Sequence, residues 1–379
     1  LKLTPKERVI KTLDLNDLID DSSNSPETKA NLHFEHGLLF LSGNNYEKAI
    51  ASFDQAIALN PDCYQTWQNR GIALGNLDRY EESLANFNQT IALNYNDYNA
   101  WFNRGNALRN LERYEEAIAS YDQAIALNPD DSSAWFNRGI ALRMLKRYKE
   151  EIASYDQAIA LKPDDYKAWF IRGVALRNLE RYEEAIASYD QAIALNPDNF
   201  SAWYMRGAAL RNLKRYEEAI ASYDRLIALN PDDYLAWFNR GIALRMLKRY
   251  KEEIVSYDQC VALKPDDYLA WFNRGVALVK LERYEEAIAS YDQAIALNPD
   301  SYESWSIRGI VLIMLGRYEE AITSYDQAIT LNSHDKKPRL VLIVRFLLMT
   351  VVFYLCLIGH WSISSITKFK KPNDSSRKA

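Results

Sequence analysis

The sequence predicts an all-α fold, a solenoid of about nine helix-turn-helix units of 34 residues each. Three observations predict it: tryptophans recur every 34 residues, a glycine follows each of them four positions later, and the apolar residues of a unit follow helical spacing. The recurring tryptophans are Trp67, Trp101, Trp135, Trp169, Trp203, Trp237, Trp271 and Trp305. His33 takes this position in an earlier unit, because Gly37 follows it at the same distance.

The unit 98–131 shows why each half should be helical. In its first half, Trp101, Gly105 and Leu108 lie at i, i+4 and i+7, which places them on one face of a helix. Small and aromatic residues have the same spacing in its second half, and Pro129 ends that helix because proline cannot continue one. One helix pair of this size cannot bury its apolar face alone, so neighbouring units must stack.

Taken together, the Trp, Gly, Ala, aromatic and Pro positions resemble the tetratricopeptide repeat (TPR). The amino-acid sequence of the units is similar to that of the long arrays common in cyanobacterial proteins. This resemblance implies a right-handed superhelix whose first helices line a concave groove, and a function in protein–protein interaction. It divides residues 30–335 into nine repeats. They are 30–63, 64–97, 98–131, 132–165, 166–199, 200–233, 234–267, 268–301 and 302–335.

Charge and composition exclude several classes of function. The net charge is −5, and residues 336–379 hold nine Lys/Arg against one Asp, so the repeats are acidic and lack the basic surface that nucleic acid requires. The three cysteines lie far apart, and His33 and His36 fill repeat positions, so we expect no metal site and no cofactor. The sequence has no phosphate-binding loop or nucleophile motif. We therefore expect neither an enzyme nor a small-molecule substrate.

The candidate binding residues lie beside the Trp position of each first helix. Phe102, Asn106 and Arg109 share one helix face at i, i+4 and i+7. An aromatic residue and an arginine recur on this face in several repeats, and an asparagine recurs two residues after the tryptophan. The aromatic residues are Phe102, Phe136, Phe170, Tyr204, Phe238 and Phe272; the arginines are Arg109, Arg143, Arg177, Arg211 and Arg245; the asparagines are Asn69, Asn103, Asn137, Asn239 and Asn273.

We interpret these residues as a peptide-binding groove. An asparagine amide offers both a donor and an acceptor, and related arrays use such a row to hold the backbone of an extended peptide. Arginine beside aromatic residues suits acidic segments of partner proteins. The alternative is structural: the aromatic residues pack between repeats and the arginines only keep the groove solvated.

Two repeats depart from the pattern at a position that is otherwise small. Glu151 and Glu253 stand where most repeats have alanine, as at Ala117. A partly buried carboxylate needs a cationic partner. We expect that partner to be the arginine before each repeat glycine, Arg138 and Arg240.

The ends of the chain differ from the repeats. Residues 1–29 are polar and predict a short helix with a flexible linker. Residues 340–361 contain fourteen Leu, Ile, Val or Phe, which predicts a transmembrane helix, and residues 362–379 form a basic tail. We expect a single-pass membrane localisation with the repeats in the cytoplasm.

The function predicted from these features is that of a membrane-anchored scaffold or adaptor, which binds partner peptides in the groove of the repeats. Two alternatives remain open. The chain could be a fragment of a larger multidomain signalling protein whose catalytic domain is missing. It could also be an architectural assembly factor without a peptide ligand.

Overall fold

The computed structural model describes Lys11, Leu15 and residues 17–331, and within these residues the fold is a series of antiparallel helix pairs. The all-α repeat architecture is thereby confirmed. The helices are Pro26–Ser42, Tyr46–Leu59, Tyr64–Gly75, Tyr80–Leu93, Tyr98–Asn110, Tyr114–Leu127, Ser132–Met144, Tyr148–Leu161, Tyr166–Asn178, Tyr182–Leu195, Phe200–Asn212, Tyr216–Leu229, Tyr234–Met246, Tyr250–Leu263, Tyr268–Lys280, Tyr284–Leu297, Tyr302–Met314 and Tyr318–Leu331. The chain divides into two compact bodies between Met205 and Arg206.

The two helices of a repeat meet where a glycine faces a buried aromatic ring. A Cβ atom added to Gly105 would lie 2.6 Å from the ring of Tyr121, far closer than carbon atoms approach one another. Tyr121 is fully buried between the helices. The recurring glycine therefore allows a large ring to fill the core of each repeat, since any side chain there would displace it.

Each recurring tryptophan closes the loop that enters its repeat. The indole Nε1 of Trp169 donates to the carbonyl of Pro163 at 2.9 Å, and Asp165 caps the same helix by accepting from the backbone of Lys167. Trp101 makes the same bond to the carbonyl of Tyr95 at 2.8 Å. Tyr95 can replace the usual proline because the acceptor is a backbone atom.

The turn between the two helices of a repeat uses a left-handed residue. Glu112 has a φ of 59°, and the next amide, that of Arg113, bonds back to the carbonyl of Leu108 at 2.9 Å. This geometry satisfies a carbonyl at the end of the first helix. Among the described repeats only the last has glycine here, Gly316 with a φ of 74°.

Within each body, an arginine that precedes a repeat glycine joins three helices, as Arg138 and Arg240 show. Arg138 donates from Nε to Asp122 of the preceding repeat at 2.6 Å, and from Nη1 to Ser154 in the second helix of its own repeat at 2.7 Å. Arg240 bonds in the same way to Asp224 and Ser256. These arginines therefore hold consecutive repeats together.

The structure contradicts the predicted membrane localisation, which we correct here. None of the described helices is both long enough and apolar enough to cross a membrane. The longest of those with defined bounds, Pro26–Ser42, has 17 residues, or ~26 Å against a hydrocarbon core of ~30 Å. The predicted transmembrane segment 340–361 and basic tail 362–379 lie outside the described residues, as does most of the predicted helix near the start of the chain.

Candidate peptide-binding surface

The predicted aromatic residues pack inside the repeats. The ring centroids of Phe102 and Tyr121 lie 6.0 Å apart in a tilted arrangement, and those of Phe238 and Tyr257 lie 5.7 Å apart edge to face. All of these first-helix aromatic residues, Tyr204 included, are half-buried. Phe136, Phe170 and Phe272 contact Tyr155, Tyr189 and Tyr291 in the same way. Such pairs add to core packing, so this row contributes to stability as well as to the surface.

The predicted arginines and asparagines meet between consecutive repeats. Arg109 donates from Nη1 to the Asn137 side-chain oxygen at 2.7 Å, and Arg211 reaches Asn239 at 2.6 Å in the same way. Each arginine thus bonds to the asparagine of the following repeat. The arginines and the asparagines are thus close together in the structure. The amide oxygens of Asn137 and Asn239, however, already accept hydrogen bonds from the chain's own guanidinium groups.

Where the following repeat lacks asparagine, the arginine finds another partner. Met205 takes the asparagine position after Arg177, and the guanidinium lies 2.9 Å from its sulfur. Asn69, which has no arginine in the repeat before it, donates to the carbonyl of Gln65 at 2.8 Å. The hydrogen-bond partner of each side chain therefore depends on two residues: the one at the arginine position of a repeat and the one at the asparagine position of the next repeat.

The buried glutamates pair with a different arginine from the one predicted. Glu151 and Glu253 are fully buried, and each accepts from an arginine eight residues earlier: Arg143 Nε at 3.1 Å and Arg245 Nε at 2.6 Å. The expectation that Arg138 would pair with Glu151, and its counterpart for Glu253, was wrong. Arg138 points to the other side of the helix pair, where Asp122 and Ser154 hold it.

Burial dominates the titration of these carboxyl groups. It raises the pKa of Glu151 to about 7, although the nearby Arg143 guanidinium favours the ionised form and opposes the shift. The pKa of Glu253 is raised for the same reason, against the opposing effect of Arg245. The charges of Arg143 and Arg245 are therefore partly engaged by carboxyl groups of the chain itself.

Three arginines of the row face neutral acceptors instead. Arg109, Arg177 and Arg211 are half-buried, and the bonds described above join each of them to an amide oxygen or a thioether. A guanidinium has five donors, so one such bond leaves capacity for a ligand. These three are the positions on the predicted surface where positive charge is least compensated.

Two cavities lie on the predicted surface of the first body. One, of about 160 Å³, separates repeats 2 and 3 and is lined by Gly75, Asn103 and Asn106 among others. The second, of about 210 Å³, is bordered by Phe136 and Asn137. Sequence reasoning missed the first cavity, although its signal is visible: Gly75 stands in repeat 2 at the position that arginine occupies from Arg109 onward.

Sequence reasoning also missed the buried tyrosines as polar partners of the surface. The Tyr121 hydroxyl donates to the Asn106 side-chain oxygen at 2.8 Å, and the Tyr257 hydroxyl lies 3.4 Å from Arg245 Nη2. The recurrence of tyrosine rather than phenylalanine at this core position is the signal that could have pointed to them. Within the described residues, no group of three His, Cys, Asp or Glu side chains is arranged to hold a metal ion.

Comparison with known proteins agrees with this architecture. The family model described as tetratricopeptide repeat matches overlapping stretches that together span residues 69–336, well over half of the chain. The chain therefore belongs to the TPR family, whose repeats serve protein–protein interaction. Its stretches are 69–121, 103–166, 152–200, 172–233, 204–268, 256–296 and 272–336. Residues 46–77 also match the model described as protein prenyltransferase alpha subunit repeat.

One solved structure supports this fold, and two others are similar to part of the chain. The C-terminal part of a TPR repeat-containing protein from Cytophaga hutchinsonii is 17% identical, with a TM-score of 0.58, over 63% of this chain and 98% of that one. YrrB, described as a TPR protein with an unusual peptide-binding site, is 23% identical over 48% of this chain and 95% of its own, with a TM-score of 0.45. A tetratricopeptide repeat protein from Parabacteroides merdae is 18% identical over 66% and 98%, also with a TM-score of 0.45. None of the curated proteins compared with the chain matches it.

Proposed function

We propose that this protein is an interaction scaffold whose first helices hold an extended, acidic segment of a partner protein. The observation that carries the proposal is the set of half-buried arginines with neutral partners, Arg109, Arg177 and Arg211. A carboxylate can accept from the donors that these bonds leave over, and charge-assisted hydrogen bonds are among the strongest available to a peptide ligand.

The candidate arginines do not contribute equally to this site. Arg143 and Arg245 contribute less than their neighbours, because Glu151 and Glu253 already engage their guanidinium groups. In the first body the acidic segment is therefore held at Arg109 and Arg177. The half-buried aromatic residues beside them exclude water from one side of these contacts.

A binding assay with defined peptides tests the proposal. The full chain is incubated with a displayed library of random dodecapeptides, and the binders are synthesised with a fluorescent label for polarisation measurements. We expect enrichment of Asp and Glu. Affinity should fall by about 1.5 kcal/mol or more when Arg109→Gln and Arg177→Gln are combined, because each substitution removes a charged hydrogen bond.

The matched control removes the same charge elsewhere. Arg113 and Arg181 directly precede second helices, are exposed, and form ion pairs with Glu116 and Glu184. Combining Arg113→Gln with Arg181→Gln should leave the affinity unchanged. Equal losses in both double variants would show that only net charge matters, and would contradict a site at the first helices.

A second candidate is an architectural role without a peptide ligand. The observation that favours it is the internal bond between Arg109 and Asn137, which already satisfies part of the surface. Failure of the library to enrich any peptide, with the protein folded, would support this role over the first.

A further inference from the structure

The cavity between repeats 2 and 3 has the position and lining of a missing side chain. Gly75 occupies the position that Arg109, Arg143 and Arg177 occupy in the next three repeats. A Cβ atom added to Gly75 would meet a single described atom within 4 Å outside its own helix and chain neighbours, the Oγ of Ser83 at 3.3 Å. We call the resulting cavity, of about 160 Å³, the Gly75 socket.

The acceptor that an arginine would reach is still present. Asn103 in repeat 3 corresponds to Asn137 in repeat 4, which accepts from Arg109 at 2.7 Å. Among the described residues, the Asn103 oxygen accepts only a long hydrogen bond of 3.5 Å, from Asn106. Repeat 2 therefore leaves the acceptor of its neighbour almost unused.

The walls of the socket suit a cation on an aliphatic stem. Ile72 and Phe87 provide apolar surface for methylene groups, and Tyr80 provides an aromatic ring. The Tyr80 hydroxyl donates to the carboxylate of Asp78 at 2.5 Å, which places a negative charge beside this wall. A volume of about 160 Å³ is below the ~300 Å³ at which small-molecule sites begin, so it fits one side chain better than a whole ligand.

We propose that the Gly75 socket receives an arginine side chain of the partner peptide, whose guanidinium bonds to Asn103 as Arg109 bonds to Asn137. The proposal rests on the proposed function, because it places one side chain of the bound segment. The partner's arginine would continue the series of first-helix arginines by one repeat. The chain already places Arg109, Arg143 and Arg177 one repeat apart in the same body. The partner thus combines an arginine at repeats 2 and 3 with acidic residues further along.

The experiment uses the full chain with asparagine labelled with nitrogen-15 and the blocked pentapeptide Gly-Gly-Arg-Gly-Gly as the probe. The Asn103 and Asn106 side-chain amide signals should shift and saturate. The same peptide with citrulline, which is neutral and nearly the same shape, should bind about tenfold more weakly, as expected for the loss of one charge-assisted hydrogen bond.

A substitution that fills the socket provides the decisive comparison. Gly75→Arg reproduces the pattern of the later repeats, so it should fold normally and abolish the shifts, whereas Gly75→Ala should retain them. Arg109→Gly should create a second socket next to Asn137 and a second set of shifts. An absence of saturable shifts in the wild type, or equal shifts in Gly75→Arg, would overturn the proposal.

Binding of the acidic peptides selected from the library shows whether a negative result concerns only the Gly75 socket or also the proposed scaffold function. If they bind the wild type and Gly75→Arg equally, and the arginine probe does not bind, the socket proposal fails while the scaffold function stands. If neither probe binds to the folded protein, both fail.

Discussion

Repeats 3 and 4 place an arginine at the same position and use it differently. Arg109 in repeat 3 reaches forward to Asn137 of the next repeat, whereas Arg143 in repeat 4 turns back to Glu151 within its own repeat. The helices that carry the two arginines both have 13 residues and end in the same turn geometry. The difference therefore arises from the neighbouring side chains and not from the backbone.

Two substitutions between the repeats account for it. Glu151 replaces the alanine found at Ala117 and places a buried carboxyl group next to the arginine. Ile171 takes the place of the asparagine that would otherwise accept from Arg143, and an isoleucine side chain has no acceptor. The residue at the position of Glu151 thus decides whether the first-helix arginine pairs with a carboxyl group of its own repeat or can pair with one of a partner protein.

The largest expected effect is a loss of stability when the buried carboxylate loses its partner. Arg143→Ala leaves Glu151 buried and unpaired, which should lower the free energy of unfolding at pH 8 by about 3 kcal/mol. Arg109→Ala removes one hydrogen bond to a neutral acceptor and should lower it by only about 1 kcal/mol. Urea denaturation of both variants measures the difference, and equal losses would break the comparison between the repeats.

The next effect should be the same in both repeats, because it depends on the shared core. A Cβ atom at Gly105 or Gly139 would lie 2.6 Å from the ring of Tyr121 or Tyr155. Gly105→Ala and Gly139→Ala should each lower the free energy of unfolding, measured by urea denaturation, by about 2 kcal/mol because the core becomes overpacked. Gly75→Ala is the control: its added Cβ would lie 3.3 Å from the Ser83 Oγ and would meet no aromatic ring among the described residues, so its effect should be much smaller.

How far the sequence predicts this protein depends on the range of the interactions involved. The helix pairs follow from the local spacing of Trp101, Gly105 and Leu108, and the family follows from their recurrence, so both could be predicted. The partner of Glu151 could not, because Arg138 and Arg143 lie five residues apart and therefore point to different sides of one helix. Choosing between them required knowledge of which side Asp122 already occupies.

The candidate surface was predicted only in part for a related reason. Positions on one helix face follow from spacing, so the sequence places Arg109 on one face with Phe102 and Asn106. That Arg109 bonds to Asn137, 28 residues later, depends on how one repeat stacks on the next. An alignment of the repeats would have revealed Gly75, because it is the glycine at a position where the next repeats have arginine.

A pH dependence should distinguish repeat 4 from repeat 3. Burial raises the pKa of Glu151 to about 7, above its value in the unfolded chain, so the native state holds the proton more tightly. The resulting stabilisation is complete below about pH 4.5 and is lost as the pH rises to about 7. Wild type should therefore lose stability relative to Glu151→Ala over this range, with a slope of at most about 1.4 kcal/mol per pH unit.

The control for this slope is an exposed glutamate one residue away. Arg147 forms an ion pair with Glu150 and lowers the pKa of that carboxyl group. Glu150→Ala should therefore change the stability difference only at more acidic pH and with the opposite sign. Thermal melts of both variants between pH 4 and 8 provide the measurement, and parallel curves for wild type and Glu151→Ala would refute the raised pKa.

The smallest effect concerns the turns, which both repeats build from a residue in the left-handed region. Glu112 and Lys146 have φ values of 59° and 57°, whereas the corresponding residue of the last repeat is Gly316. Because a Cβ atom disfavours this conformation, Glu112→Gly and Lys146→Gly should each raise the free energy of unfolding, by about 1 kcal/mol. Gly316→Ala should lower it by a similar amount. Since both repeats share the turn, their two gains should be equal; a gain in repeat 3 alone would mean that the arginine contacts of repeat 4 also constrain its turn.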